Sequence, residues 1–408
     1  MPATAIPSGP LSAHPSALIG GRALRVLVAH NRYQLPGGED AVFEAETALL
    51  RSAGCEVAKL ETSNAGIDTA RARISAAAAA TYSIEGRGQM ARAIARFQPD
   101  VVHVHNLFPR PGPAIFDACV AAGVPAIWTL HNFRLACAQA TLFREGRSCQ
   151  DCVGRPPFAA VIHGCYRGSR LGSASVAATI AFHRLAGTWR RKVSRFIVLT
   201  EFAQSIAIEA GVPAERIRVK PNFARDPGPV ARERRGAVYV GRLSAEKGVD
   251  TLIEAWRSLG DIPLSVAGEG PERVGLEQLA PANVRFLGQL PREQVQAVVG
   301  QSQALILPSM CHDNFPLALA EAMAAGTPVV ASRIAPLDRL VREGVDGALF
   351  APGDPVDLAR TVRRLFGEPT TLEALGRGAR ANWERAMEPE ANLTQLLSIY
   401  REVCAGEG

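Results

Sequence analysis

One twenty-residue stretch constrains this chain more than any other: residues 311–330, Cys-His-Asp-Asn-Phe-Pro-Leu-Ala-Leu-Ala-Glu-Ala-Met-Ala-Ala-Gly-Thr-Pro-Val-Val. It follows an apolar, strand-like run at 304–308 and ends in a second one at 328–331. The spacing predicts strand, short helix, strand, with Asp313 in the first helical turn and Glu321 in the helix interior. Residues eight apart on a helix lie about 80° apart around the axis and about 12 Å apart along it. Two carboxylates so placed reach two parts of one elongated ligand, while the helix N-terminus accepts an anion. A plain amphipathic helix with two solvated acids would explain the apolar positions. It would not explain Asn314-Phe315-Pro316 at the start or Gly326-Thr327-Pro328 at the stop.

The same strand-turn-helix design recurs along the chain. Residues 24–29 read as a buried strand, followed by a turn with Gly37 and Gly38 and a helix over 41–53. Such a turn points backbone N–H groups at an anion. Residues 100–106 form another strand, ending in His103, His105 and Asn106, and 125–132 repeat it with His131 and Asn132. Polar groups at strand ends lie where open α/β sheets bind ligands. Residues 237–248 run from a strand into Gly241-Arg242-Leu243-Ser244-Ala245-Glu246-Lys247-Gly248. Glycine lets a phosphate approach the backbone, and two cations neutralise it. Gly268-Glu269-Gly270 ends a further strand but lacks the third glycine of a dinucleotide fingerprint, which argues against NAD.

These strings together resemble the retaining glycosyltransferases of family 4, the old group 1 set, which have the GT-B fold. That family's pattern is an acid, seven residues, then Glu, with Gly/Asn-Phe-Pro-Leu inside and Ala-Met-Ala-x-Gly-x-Pro-Val after. Here Asp313 stands where the family usually has Glu. The resemblance covers nearly all of 24–403. It implies an α/β chain with two facing Rossmann-like domains, a cleft between them, and a C-terminal helix, 392–403, crossing back to the first domain. By that resemblance Arg242 and Lys247 bind the departing diphosphate, Glu321 the ribose, and Asp313 a hydroxyl of the donor sugar. His131 lies near the transferred sugar. Gly37, Gly38, Gly241, Gly268, Glu269, Gly270, Asn314, Phe315, Pro316 and Leu317 line the nucleotide-sugar, and His103, His105 and Asn132 face the acceptor.

Domain boundaries follow: a disordered leader at 1–22, a first domain at 23–223 with 385–408 packed on it, a linker at 224–235, and a nucleotide-sugar domain at 236–384. The leader lacks the charged start and apolar core of a signal peptide. With 408 residues, 47% hydrophobic and 21% charged, the chain suits two globular domains. No run of 18 apolar residues occurs, so a cytoplasmic place is expected. The net charge of +6 is uneven: residues 1–225 carry +11 and 226–408 carry −5. No acid stands between Asp151 and Glu201, whereas Arg155, Arg167, Arg170, Arg184, Arg190, Arg191, Lys192 and Arg195 do. Residues 174–196 read as an amphipathic helix with a basic face, suited to the inner face of an anionic membrane or to solvent. No nucleic-acid-reading module is visible.

Cys137, Cys149, Cys152 and Cys165 fall within 29 residues in a C-x11-C-x2-C-x12-C pattern. Four thiolates suit a structural zinc ion, or less readily an iron–sulfur cluster. The resemblance needs no catalytic cofactor: no Asp-x-Asp occurs, and cationic side chains take the role of a metal. The function expected is sugar transfer from a UDP- or GDP-linked donor to a glycan or lipid-linked acceptor of bacterial surface polysaccharide assembly. The rival expectation is a non-catalytic transferase-like scaffold that binds nucleotide-sugars or carries a metal.

Overall fold

The computed structural model describes residues 17–34, 37–229 and 233–406. Two six-stranded sheets dominate it. The first is built from β1 (Arg25–Arg32), β2 (Glu56–Ser63), β3 (Val101–Val104), β4 (Ala126–Leu130), β5 (Arg195–Val198) and β6 (Ile217–Val219), in the order β6-β5-β4-β3-β1-β2. β1 pairs parallel with both β2 and β3, and β3 pairs parallel with β4. The second contains β7 (Ala237–Val240), β8 (Leu264–Ala267), β9 (Val284–Gly288), β10 (Ala304–Leu307), β11 (Val329–Ser332) and β12 (Gly347–Phe350). Its order is β9-β8-β7-β10-β11-β12, all parallel.

Parallel strands covered on both faces read as continuous apolar runs, and the central strands do, such as β3, β4, β10 and β11. In the second sheet Ala237, Tyr239 and Ile306 enter one core, with Trp256 and Phe350. Val238, Leu305 and Leu307, on the alternate face, enter another with Phe315, Leu319 and Met323. Around β1, Val26 and Val28 pack with Phe43, Leu396 and Tyr400.

By internal contacts the chain divides into two compact units, one of 1–130, 187–197 and 393–408, the other of 131–186 and 198–392. These contacts group 131–186 with 198–392 and so draw a different division from the expected boundary near 223. Residues 1–16 of the expected leader lie outside the described residues, but 17–22 do not behave as a leader. Ala17 is fully buried, and the two-residue strands Leu18–Ile19 and Arg22–Ala23 form a hairpin. The expected linker is partly built in as well: Ala224 is buried and its N–H donates to Met387 O at 3.2 Å.

Three helix expectations need correction. Residues 174–196 are not one helix; they comprise the end of Arg170–Leu185, the turn Thr188–Arg191 and the start of β5. Its cations are partly paired within the fold, Lys192 with Asp117 and the buried Arg195 with Glu402 at 2.9 Å. The first glycine-turn helix begins at Gly38 rather than residue 41. Most consequentially, the helix behind the opening motif is Leu317–Ala324, so Asp313 lies in the preceding loop. A residue before proline is disfavoured in the helical region, and Pro316 itself is extended with ψ 122°. The eight-residue helical spacing of the two acids therefore does not exist. Among the described residues no helix is long and apolar enough to cross a membrane.

Candidate active site

In a doubly wound sheet the strand order reverses at one point, and ligands bind at the carboxyl ends beside it. In the second sheet that point lies between β7 and β10. Lys247 follows β7 and Asp313 follows β10, and their side chains meet there in an ion pair. Ser309 also donates to the other Asp313 oxygen. The loops are tied by backbone too, since Met310 N–H donates to Glu246 O at 2.9 Å. Burial works against the Lys247 charge, but the Asp313 carboxylate outweighs it and holds the ammonium above its ordinary pKa. The neighbouring Cys311 thiol is pushed well up by burial and by Asp313, so it stays protonated.

Glycines permit this convergence. Gly248 adopts φ +64°, and a Cβ there would stand 2.2 Å from Pro308 O. Gly268, at φ +143°, would place a Cβ 1.8 Å from Gly241 O. Gly241 N–H in turn donates to Ala267 O at 3.0 Å, Leu243 N–H to Glu269 O at 2.9 Å and Gly268 N–H to Gly288 O at 2.8 Å, so the three strand ends β7, β8 and β9 close into one floor. Gly270 packs equally tightly on Leu243 O. Arg242 is exposed, its carbonyl held by the Tyr239 hydroxyl at 2.7 Å. Glu269 pairs with Arg273 on the next turn.

Glu321 is buried inside the helix Leu317–Ala324 and accepts from Arg292 Nε at 3.1 Å. Burial raises its pKa, and Arg292 pulls it partly back. Neither Arg292 nor Ser309 was singled out from the sequence, because each meets its acid only through the fold. Phe315 is a core residue, whereas Asn314, Pro316 and Leu317 are half-buried at the helix entry. His312 is also new. Burial holds its ring below the ordinary pKa, it stacks on Phe202 at 4.4 Å, and its Nδ1 lies 2.7 Å from Ala335 O.

The other predicted residues are placed differently. Gly37 and Gly38 are exposed at the N-terminus of the helix Gly38–Ser52, where Asp40 caps Gly37 N–H at 2.8 Å. His103 and His105 are corrected: both are buried, at 0% and 2% exposure, and do not present themselves to an acceptor. His103 lies 2.7 Å from both the Tyr400 hydroxyl and Thr129 Oγ1, and both histidines approach Glu46 at 3.2–3.3 Å. That trio is the one group among the described residues whose ligand atoms lie within 4.8 Å of one another. With both ring nitrogens of His103 already facing other groups, it works as an internal polar network. His131 directly follows β4 and is half-buried, and Asn132 Oδ1 accepts from Arg134 N–H at 3.0 Å. The four cysteines, 137, 149, 152 and 165, do line a single cavity in the second unit. Burial first, then the neighbouring thiols, raise the pKa of Cys152 and Cys165.

Comparison with known proteins agrees with this fold. Residues 222–382 match the model for glycosyl transferases group 1, and 20–222 match that for a glycosyl transferase 4-like domain. The alpha-D-kanosaminyltransferase of Streptomyces kanamyceticus is 29% identical over 238 residues, covering 52% of this chain and 61% of that one. A glycogen synthase of Mycobacterium tuberculosis is 30% identical over 267 residues, covering 62% and 64%. The matches thus span somewhat under two thirds of these relatives' length. Among solved structures, the Anabaena protein Alr3699/HepE in complex with UDP and glucose aligns with a TM-score of 0.63 at 16% identity, over 92% of this chain and 98% of that one. Sucrose-phosphate synthase from Thermosynechococcus elongatus aligns with 0.68 at 18% identity, over 94% and 100%.

Proposed function

Because the chain belongs to the group 1 glycosyltransferases, we propose that it moves a sugar, with retention, from a nucleoside-diphosphate donor to a glycan or lipid-linked acceptor of bacterial surface polysaccharide assembly. One observation carries this reading: Lys247, exposed Arg242 and the loop carrying Asp313 converge at the reversal point of the second sheet. When the sugar C1–O bond breaks, charge develops on the departing diphosphate. Lys247 presents three N–H donors, so its contact with Asp313 is compatible with phosphate oxygens as further acceptors. Arg242 adds a planar fork suited to phosphate. Asp313, fixed by Lys247 and Ser309, offers its carboxylate to a donor-sugar hydroxyl. Glu321, oriented by Arg292, takes the ribose hydroxyls. His131, at the end of β4, is assigned to the transferred sugar by position in the chain. No step requires a metal.

Relatives that bind or act on UDP, glucose and glycogen-type substrates support a nucleotide-sugar donor. The test is direct titration of the purified chain with UDP, GDP and their sugar conjugates by calorimetry, followed by donor turnover with and without glycan acceptors. Tight binding of one nucleotide family and release of its diphosphate are expected. Absence of binding across the panel would overturn the reading.

A further inference from the structure

Segment 131–168 follows different rules from the rest of the chain. Its regular structure is limited to the two-residue strands Phe143–Arg144 and Arg147–Ser148 and the five-residue helix Phe158–Ile162. Of the five non-glycine residues with positive φ among those described, four lie here: Ala140, Leu142, Glu145 and Arg167. Left-handed conformations of this kind persist only where the surroundings over-determine them. A segment so poor in helix and strand lacks the backbone hydrogen-bond ladders that would fix them, and small irregular units of this sort usually rely on cross-links or a metal.

The cross-linking groups are present. Cys137 closes a turn on Phe133 O, Cys149 follows the small hairpin with its N–H on Leu142 O, and Cys165 follows the short helix with its N–H on Ala160 O. Cys152 completes the C-x2-C turn, and all four are free thiols lining one cavity of about 20 Å³. That volume accommodates a single small occupant, little more than one water needs. Arg144 borders the same cavity, and its buried Nε and Nη1 make no hydrogen bond, although Nη1 is within 3.1 Å of Asp151. A tetrathiolate centre carries surplus negative charge, and N–H donors beside its sulfurs are what such a centre calls for.

We propose that Cys137, Cys149, Cys152 and Cys165 hold one structural zinc ion as four thiolate ligands. The sulfurs line the cavity without any three closing to within 4.8 Å, so metal entry draws them inward to Zn–S distances of about 2.3 Å. Each bound thiol releases its proton. The centre also has a mechanical role. Ser148 Oγ donates to Met310 O at 3.1 Å, and the Gln150 side chain lies 3.3 Å from His312 Nε2. Both residues flank Cys149, and both touch the loop that carries Asp313. The zinc site thereby braces the donor loop from behind and does no chemistry.

The test begins with the full chain, expressed with zinc in the medium and purified without chelator under reducing conditions. Elemental analysis should find one zinc per chain, released by a thiol-blocking mercurial. Cys149→Ser and Cys152→Ser should each lose it. Because those variants risk misfolding, the wild-type chain is also exchanged with cobalt(II), which should give the intense sulfur-to-metal charge-transfer absorption of a tetrahedral tetrathiolate site. Zinc well below one per chain with no cobalt spectrum would overturn the site, as would iron with sulfide in its place or a disulfide among the four. Hydrogen exchange of residues 308–316 should rise when zinc is withdrawn. Unchanged exchange there would remove the bracing role. These readouts are independent of whether any nucleotide-sugar binds.

Discussion

The two sheets reverse their strand order once each, at β1/β3 in the first and β7/β10 in the second, yet they treat the polar residues there in opposite ways. At β1/β3 the strand-end groups bond to one another. Asn106 Nδ2 donates to Asn31 O at 2.8 Å, His30 faces Asp40 at 2.9 Å, and Glu46 sits between His103 and His105. All of these residues are 7% exposed or less. At β7/β10 the Lys247 and Asp313 side chains keep 26% and 11% exposure, and Arg242 faces solvent. One topology thus yields a buried polar cluster in one place and a partly exposed charged cluster in the other. Position at a strand end alone therefore does not separate the two; exposure does, and it favours the second for the proposed diphosphate contact.

The sharpest way to break this comparison is Lys247→Ala. If the β7/β10 end grips a leaving diphosphate, turnover of the folded protein should fall by about 10²–10³-fold, with a lowered melting temperature because the Asp313 side chain, 11% exposed, loses its cation. Lys247→Arg should recover part of the rate. Near-wild-type turnover in Lys247→Ala would mean that the pair plays no part in turnover.

The complementary substitution lies at β1/β3. Glu46→Ala removes one partner of a buried polar network and leaves His103 and His105 facing a void, which costs about 1–3 kcal/mol of stability by denaturant unfolding. Donor affinity at the second sheet should be unchanged in whatever fraction remains folded. A loss of donor affinity without loss of stability would reverse the roles assigned to the two ends. A smaller effect is expected behind the donor loop. Ser148→Ala removes the hydrogen bond to Met310 O, about 0.5–1.5 kcal/mol, and should raise the donor KM a few-fold with little change in kcat.

Much of this was legible in the sequence, and the parts that were not share a cause. The alternation of strands and helices, the glycine strings and the Lys247 and Glu321 positions are local patterns, each contained in about a dozen residues. The backbone of Asp313 is less legible, because the apolar spacing extends the helix to it whereas Pro316 starts the helix only at Leu317. Arg292 and Ser309 carried no signal of their own, since they meet Glu321 and Asp313 only after the chain folds back. The burial of His103 and His105 was hidden for the same reason. Their environment is supplied by Glu46 and, for His103, Tyr400, residues tens to hundreds of positions away.

The finest probe of the second sheet is the pH dependence set by Glu321 and Arg292. Burial raises the Glu321 pKa above its ordinary 4.5, and Arg292 lowers it in opposition. Accepting ribose hydroxyls requires the carboxylate, so donor affinity should fall as pH drops through the folded pKa, on the high side of the usual carboxylate range. Arg292→Gln removes the opposing cation, and the fall should begin at a higher pH still. The stability consequence has the opposite sense. A carboxyl whose folded pKa is raised contributes stability when protonated and loses it as pH climbs, so the Arg292→Gln penalty should vanish in acid and grow towards neutrality. Donor titrations and unfolding curves on both proteins across the acidic range would show the two trends together. Curves that superimpose would mean that Arg292 acts as a surface cation and that Glu321 is oriented by the helix alone.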